Sequence, residues 1–197
     1  MPAKQILEVD GKDLVFSNAD KIFFPATGYT KGQVIAFYAK IAGTILPHLH
    51  GRPLTMKRYP DGVTTPPFYG KNAPAHRPGW VETFPVPRSE GGADINYILC
   101  NDRATLLWAT NLGDIEKHTL LARVPELNCP TALVFDLDPG APADIIDCCH
   151  VALSLRAIFD TWGLQSFVKV SGSKGLHLSV PLNLPTSYEV TQPFAKA

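Results

Sequence analysis

The stretch that decides the fold is residues 131–139, which read T-A-L-V-F-D-L-D-P. An unbroken apolar run, residues 132–135, leads into Asp136, Leu137 and Asp138 and then into a Pro-Gly pair. A short apolar run bounded by a Pro-Gly turn predicts a buried strand. Because side chains alternate between the two faces of a strand, Asp136 and Asp138 are expected to point the same way at its carboxyl end.

Two carboxylates held so close together repel each other, so either a proton or a cation must lie between them. A divalent cation with oxygen ligands, Mg²⁺ or Mn²⁺, meets this need and also binds phosphates. The other interpretation is that Asp136 and Asp138 are solvated residues at a strand end before a turn. The pattern alone leaves both interpretations open, because short motifs often occur by chance.

The residues that follow favour a phosphate site. Residues 143–162 predict an amphipathic helix and residues 165–170 a strand, and with the first strand they are expected to form a right-handed βαβ unit. The next five residues, S-G-S-K-G at 171–175, offer backbone N–H groups, hydroxyls and a lysine charge, which are groups that bind phosphate. The spacing is not that of a Walker A loop, and a turn with a solvated lysine is the alternative.

The preceding part of the chain predicts further short elements. Its patterns predict hairpins over residues 4–17 and 81–99, a capped helix from Thr30 to Pro47, loops over 51–80 apart from a strand near 54–59, a short helix over 104–109 and a strand over 115–120. The last of these strands carries Glu116 and His118 on one face. Phe68 and Tyr69 follow two prolines and either stack bases or anchor a loop to the protein body.

Composition bounds the class of protein. The 197 residues are enough for one well-packed core or two small lobes. A hydrophobic content of 45% and a mean hydropathy of +0.02 are typical of a soluble globular protein. The charged start, the lack of a long apolar run and the four cysteines without C-x-x-C spacing favour a reduced cytoplasmic protein over a secreted or membrane protein.

Charge is balanced overall but not along the chain. The zero net charge argues against a strongly basic nucleic-acid binder. Residues 1–60, however, hold eight lysines and arginines against four acids, while the remainder holds ten against fourteen. A basic amino-terminal part beside an acidic centre suits a polyanion that is held near a metal site.

Taken together and in order, these motifs resemble the polymerase domain of bacterial DNA ligase D, which belongs to the archaeo-eukaryotic primase superfamily and serves non-homologous end joining. The most specific stretches are residues 134–140 (V-F-D-L-D-P-G) and 171–178 (S-G-S-K-G-L-H-L). Shorter matching stretches lie at residues 17–21, 24–28, 30–31, 52–53, 57–63, 68–69 and 115–118. The resemblance implies one α+β domain over residues 1–197, with a primase-type fold of antiparallel-rich central sheets, a βαβ unit and flanking helices.

The resemblance also implies a role for each motif residue. Asp136 and Asp138 would be the catalytic residues and would hold the divalent metal, Mn²⁺ or Mg²⁺, of nucleotidyl transfer. The residues implied in binding the incoming nucleotide are His118, Ser171, Ser173, Lys174 and His177. The pocket for a downstream DNA 5′-phosphate would comprise Asn18, Lys21 and Lys31. The residues implied in engaging the template strand are Arg58, Phe68 and Tyr69.

The activity implied is template-dependent gap filling, with a preference for ribonucleotides, at DNA ends during double-strand-break repair. Nucleoside triphosphates and DNA ends with a 5′-phosphate would be the substrates. Ku and ligase or nuclease domains or chains are the further partners implied, without a membrane, in a cytoplasmic and nucleoid-associated setting.

Family members continue beyond the position of Ala197, and that portion supplies a third metal-binding aspartate and a basic segment near the triphosphate. The sequence is therefore expected to be a truncated or split member, or one that recruits the missing ligand from another chain. With two carboxylates instead of three, its affinity for the metal is expected to be lower.

Two other functions compete with this one. A non-catalytic module that binds DNA ends or nucleotides would keep the 5′-phosphate pocket and lack incorporation. A phosphatase of the D-x-D type would have threonine or valine two residues after the second aspartate, where this chain has Gly140.

Overall fold

The computed structural model describes residues 4–88 and 91–196. These residues form two compact units, Met1–Leu120 and Leu121–Ala197. The elements of the first unit are β1 (Lys4–Val9), β2 (Lys12–Ser17), β3 (Ile22–Phe24), β4 (Tyr29–Thr30), α1 (Lys31–Leu49), β5 (Pro53–Arg58), β6 (Phe68–Gly70), β7 (Thr83–Val86), β8 (Ile95–Leu99), α2 (Arg103–Asn111) and β9 (Asp114–Thr119). Those of the second unit are β10 (Ala132–Leu137), α3 (Ile145–Thr161), β11 (Phe167–Val170), β12 (Leu176–Pro181) and α4 (Tyr188–Lys196).

The first unit is built on a five-stranded antiparallel sheet. Its order is β6-β5-β8-β7, and β9 pairs with β5 as well. The hairpins predicted over residues 4–17 and 81–99 are confirmed, because β1 pairs with β2 and β7 with β8. Residues 89–90, in the connection of the second hairpin, lie outside the described residues. The prediction of a loop at Phe68 and Tyr69 is wrong. These residues form β6, because Lys57 and Arg58 of β5 supply backbone partners that a sequence pattern does not reveal.

Helix α1 begins where its capping box predicts. The Thr30 side chain accepts a hydrogen bond from the Gln33 amide, and the Gln33 side chain accepts one from the Thr30 amide. The helix passes through Pro47 to Leu49 and buries Val34 and other apolar residues against the core of this unit.

The second unit is a three-stranded sheet in the order β10-β12-β11, and both neighbouring pairs are antiparallel. Strands β10 and β11 are therefore parallel to each other, with β12 between them. The predicted strand–helix–strand unit is present in this split form, in which its two strands are not adjacent. Leu133 and Leu178 pack with Phe159 of α3 on one face of the sheet, so Asp136 and its cross-strand neighbour His177 lie on the other face.

The α+β class and the antiparallel sheets agree with the sequence-based prediction. In the part of the chain that the structure describes, every helix is too short or too polar to cross a membrane.

Candidate metal and phosphate sites

The two aspartates of the opening motif lie at one end of the open sheet face. Asp136 is opposite His177 of β12 in the strand register, and Asp136 Oδ1 lies 3.4 Å from His177 Nε2. The side chain of Asp136 is 66% exposed, and Asp138, two residues further on, is also exposed. Strand alternation therefore places both carboxylates and an imidazole at one solvent-accessible edge.

The predicted phosphate loop approaches this edge through Gly175. A Cβ atom at Gly175 would lie 2.2 Å from the Leu137 carbonyl oxygen and 2.6 Å from Asp138 Oδ1. No side chain fits at those distances, so glycine is required for the loop backbone to lie against the Asp138 carboxylate. The V-F-D-L-D and S-G-S-K-G motifs, which are far apart in sequence, are thus in direct contact.

The loop is held in shape by Ser171 and Lys174. Ser171 Oγ accepts hydrogen bonds from the amides of Ser173 and Gly175 at 3.4 and 3.2 Å. Lys174 Nζ donates to the Pro139 carbonyl at 3.1 Å, which places the ammonium group beside the strand end. Gly172 has a φ of +96°, a conformation that glycine adopts without strain. The arrangement brings hydroxyls, amides and one lysine charge to the edge that carries the aspartates.

The donor set at this edge fits Mg²⁺ or Mn²⁺. Both ions prefer oxygen ligands, and Mg²⁺ is commonly bound by one or two carboxylates together with substrate phosphates. Asp136 and Asp138 supply two carboxylates, and the loop could hold the phosphates. Within residues 4–88 and 91–196, no group of three or more His, Cys, Asp or Glu side chains is placed to hold a metal ion.

Lys169 is a member of this face that the sequence analysis missed. In the register of β11 with β12, Lys169 lies opposite His177, which itself lies opposite Asp136. Residues opposite one another in an antiparallel pair share a face, so Asp136, His177 and Lys169 form a row across the three strands. Strand alternation over residues 167–170 predicts that Lys169 and Val168 face opposite sides of the sheet. The strand order, which the sequence does not reveal, is needed to place Lys169 beside His177.

A second site is a cavity of about 170 Å³ in the first unit. It is lined by Asn18, Lys21, Phe23, Lys31, Arg58, Pro60, Asn111, Leu112 and Gly113. The three residues predicted to bind a 5′-phosphate, Asn18, Lys21 and Lys31, are therefore together. Arg58, which was predicted to engage the template, lines the same cavity and adds a third cationic group.

Lys31 is the most buried cation of this cavity. It is the first residue of α1, is only 5% exposed, and donates from Nζ to the Ser17 carbonyl at 2.7 Å. Burial, with a smaller contribution from the charge of Lys21, lowers the pKa of Lys31 to about 8. An anion in the cavity would offset both effects, so the environment of Lys31 favours a bound negative charge.

Protein oxygens also hold the other two cations of the cavity. Lys21 Nζ donates to the Pro60 carbonyl at 2.7 Å and to Asp61 Oδ1 at 2.6 Å. Arg58 Nε donates to the Leu112 carbonyl at 2.9 Å, and its guanidinium lies 4.9 Å from the centre of the Phe68 ring. The positions of the cations are therefore fixed before any ligand binds.

Phe68 and Tyr69 lie on opposite faces of β6. Phe68 is paired with Arg58, whereas Tyr69 is paired with Lys57. The ring of Tyr69 meets His118 edge to face, with 5.8 Å between the ring centres. The residues predicted to engage the template therefore fall into two groups. Arg58 contacts Phe68, whereas Tyr69 contacts His118, which was predicted to bind the incoming nucleotide.

Glu116 lies among the side chains of Lys57, Tyr59 and His118. Its carboxylate accepts hydrogen bonds from Lys57 Nζ and from the Tyr59 hydroxyl, and His118 Nε2 is 3.4 Å from Glu116 Oε2. Desolvation opposes ionisation of Glu116, but the hydrogen bonds from Lys57 and Tyr59 outweigh it and hold its pKa below the ordinary value. The sequence showed that Glu116 and His118 share a face, but it could not show the other partners.

Comparison with known proteins gives one consistent family. The family model "LigD, primase-polymerase domain" matches residues 30–197. The chain is 37% identical over 173 residues to the multifunctional non-homologous end joining protein LigD of Mycolicibacterium smegmatis, covering 87% of this chain and 22% of the relative. It is 33% identical over 184 residues to the bifunctional non-homologous end joining protein LigD of Bacillus subtilis, covering 93% and 29%. The chain thus spans less than a third of the length of these relatives.

A solved structure is also similar. The polymerase domain from Mycobacterium tuberculosis ligase D, in complex with DNA, matches with a TM-score of 0.86 and 35% sequence identity. The match covers 93% of this chain and 66% of that chain.

Proposed function

Because the chain belongs to the LigD primase-polymerase domain family, we propose that it is a nucleotidyltransferase that fills gaps at broken DNA ends and prefers ribonucleotides. The observation that carries this proposal is the contact of the S-G-S-K-G loop with Asp138 through Gly175. Nucleotidyl transfer needs metal-binding carboxylates beside a phosphate-binding loop, and the contact supports these roles for Asp138 and the loop.

Asp136 and Asp138 would hold the divalent metal, Mn²⁺ or Mg²⁺. When bound, such an ion lowers the pKa of a primer hydroxyl and neutralises charge on the triphosphate and the leaving pyrophosphate. Ser171 and Ser173 would donate hydroxyl hydrogen bonds to the triphosphate, while Lys174 would neutralise its charge. His177 lies beside Asp136 and would orient that carboxylate or contact a phosphate oxygen.

In the first unit, His118 would contact the sugar of the incoming nucleotide and Asn18, Lys21 and Lys31 would bind the downstream 5′-phosphate. The buried Lys31 and the carbonyl-held Lys21 support this role, because a preorganised cationic cavity loses little freedom when phosphate binds. Arg58, Phe68 and Tyr69 would engage the template strand. The stacking of Arg58 on Phe68 supports this role.

The partners follow from the relatives that match. Those relatives are described as non-homologous end joining proteins with several functions, and the similar solved structure contains DNA. We therefore propose double-strand-break repair as the setting, with Ku and with ligase or nuclease domains or chains as partners.

The competing function is a DNA-end-binding module without catalysis. The cationic cavity that contains Asn18, Lys21 and Lys31 favours it, because this cavity does not include Asp136 or Asp138. The complete cationic cavity of the first unit would then serve only to bind a 5′-phosphate.

The test is manganese-dependent addition of one ribonucleotide to a primer in a gapped duplex that carries a downstream 5′-phosphate. We expect addition by the unaltered chain and none by the Asp136→Ala/Asp138→Ala variant, because the variant loses both metal ligands. Asp160→Ala, which removes an exposed carboxylate of α3, is the control and should retain addition. If the unaltered chain binds the 5′-phosphorylated duplex but adds no nucleotide, the binding module is the correct function.

A further inference from the structure

We infer that Glu116 is a positioning residue that fixes His118 and Lys57 for recognition of the ribose of the incoming nucleotide. This inference rests on the proposed function, since it deepens the role of His118.

Glu116 contacts three side chains, those of Lys57, Tyr59 and His118. Lys57 Nζ lies 2.8 Å from Oε1 and 2.9 Å from Oε2, and the Tyr59 hydroxyl donates to Oε1. His118 Nε2 lies 3.4 Å from Oε2. The carboxylate therefore joins a buried tyrosine, a lysine and the imidazole.

The orientation of the imidazole has a chemical consequence. Because Nε2 of His118 is turned towards Glu116, Nδ1 is the ring nitrogen that remains for a ligand. A carboxylate beside one imidazole nitrogen favours the form that carries a proton there and fixes the plane of the ring. A fixed Nδ1 can distinguish a sugar hydroxyl from a hydrogen atom, which a freely rotating ring does poorly.

The neighbouring aromatic ring depends on the same contacts. Tyr69 meets the His118 ring edge to face, and Lys57 Nζ lies 5.9 Å from the centre of the Tyr69 ring. The side chains of His118 and Lys57, which lie next to Tyr69, therefore both contact Glu116. Loss of the Glu116 charge would release His118 and Lys57 together and change the surface around Tyr69.

A purely structural role for Glu116 is a weaker explanation. Its side chain is 43% exposed, and charge pairs with that much solvent contact contribute little to folding stability. Tyr59 is buried, with 9% of its surface exposed, so its position does not rest on the contact with Glu116 alone. The strongest effect of Glu116 should therefore fall on ligand recognition.

The test is Glu116→Gln, which keeps the shape and a hydrogen-bond acceptor but removes the charge. We would measure the affinity of the gapped, 5′-phosphorylated duplex complex for ATP and for dATP opposite a templating thymine with Mn²⁺, and the rates of incorporation. We expect about a tenfold loss of affinity for ATP, a smaller loss for dATP and unchanged binding of the duplex. Glu8→Gln, at an exposed glutamate of β1, is the matched control and should change neither nucleotide affinity.

A double-mutant cycle with His118→Ala separates positioning from a direct effect. If Glu116 acts through His118, Glu116→Gln adds little to the loss of ATP affinity already caused by His118→Ala. Fully additive losses, or equal losses for ATP and dATP, would overturn the inference while leaving the proposed function intact. If the unaltered chain binds no nucleotide on this duplex, the proposed function fails and the inference about Glu116 fails with it. This outcome differs from additive or equal losses, which overturn the inference alone.

Discussion

The two units of this chain treat their charged residues in opposite ways. In the first unit, Lys31, Asp114 and Lys117 are buried and are contacted by protein atoms. In the second unit, Asp136 and Asp138 lie on an open sheet face in contact with solvent. The first unit therefore has its cationic cavity built into the fold, whereas the carboxylates of the second unit remain open to solvent.

The hydrophobic cores explain this difference. Among the described residues, the first unit has one core cluster of 18 buried hydrophobic residues. The second unit has two clusters, of four and three buried residues, on one face of a three-stranded sheet. A large hydrophobic core can offset the free-energy cost of removing charged groups from water and can hold those groups rigidly. A small hydrophobic core cannot offset that cost, so charged groups stay at the surface.

The largest effect is expected from breaking a buried charge pair of the first unit. Lys117 Nζ lies 3.4 Å from Asp114 Oδ2, and their side chains are 2% and 0% exposed. Lys117→Met would remove the cation paired with the fully buried Asp114 carboxylate and leave Arg58 as its other cationic neighbour. We expect the free energy of unfolding, measured with urea at pH 8, to fall by about 3–5 kcal/mol.

The pH dependence of this variant gives a second check. Burial, opposed by Lys117, raises the pKa of Asp114 from 3.8 to about 6 in the folded protein. The folded state therefore binds a proton that the unfolded state has lost, and this contribution to stability is lost as the pH rises from about 4 to about 6. Without Lys117 the pKa of Asp114 rises further, so the loss caused by Lys117→Met should be smaller at pH 5 than at pH 8.

The second unit offers the matched control. Arg156 and Asp160 of α3 form a pair at 3.8 Å with both side chains more than half exposed. Arg156→Met removes the same charge, and we expect a change of less than about 0.5 kcal/mol. Equal losses for Lys117→Met and Arg156→Met would contradict the contrast between the two units.

The sequence predicted the local elements of both units well. Helix α1 and the two hairpins follow from a capping box and from turn residues, which act over a few positions. Strand β6 and the insertion of β12 between β10 and β11 were not predicted. Both depend on pairing between residues far apart in the chain, and a pattern in one segment carries no information about its neighbour in the sheet.

The same distinction applies to the candidate sites. The alternation of Asp136 and Asp138 is local, so their shared edge could be predicted. Lys169 and the contacts of Glu116 depend on strand register across a sheet and could not be. The burial of Lys31 was also missed, because a lysine in the first turn of a helix is ordinarily solvated.

A smaller effect is expected from Lys31, the cation built into the cavity of the first unit. Lys31→Met should weaken binding of a gapped duplex with a downstream 5′-phosphate about tenfold at pH 7, since one charged partner of the phosphate is lost. Burial lowers the pKa of Lys31 to about 8, so the unaltered chain carries this charge below pH 8 and loses it above. The affinity of the unaltered chain should therefore fall towards that of the variant as the pH rises, with a midpoint above 8 because bound phosphate favours the charged lysine.

Two controls make this measurement specific. Lys40→Met removes an exposed lysine of the same helix and should leave the affinity for the 5′-phosphorylated duplex unchanged. A duplex with a downstream 5′-hydroxyl should bind the unaltered chain and Lys31→Met equally. A loss of affinity for both duplexes would show that Lys31 supports the fold and does not select the phosphate.

The smallest change in unfolding free energy is expected from a substitution in the exposed strand β11 of the second unit. This substitution tests how far the small hydrophobic core of that unit extends. Val170 in β11 is 66% exposed, whereas Val180 in the neighbouring β12 is 1% exposed. Val180→Thr buries a hydroxyl and should cost about 1–3 kcal/mol of unfolding free energy, while Val170→Thr should change it by less than about 0.5 kcal/mol. The same substitution at two adjacent strands thus separates burial from strand propensity, which threonine and valine share. If Val170→Thr costs as much as Val180→Thr, Val170 is covered in solution and the core on the α3 side of the sheet extends over β11.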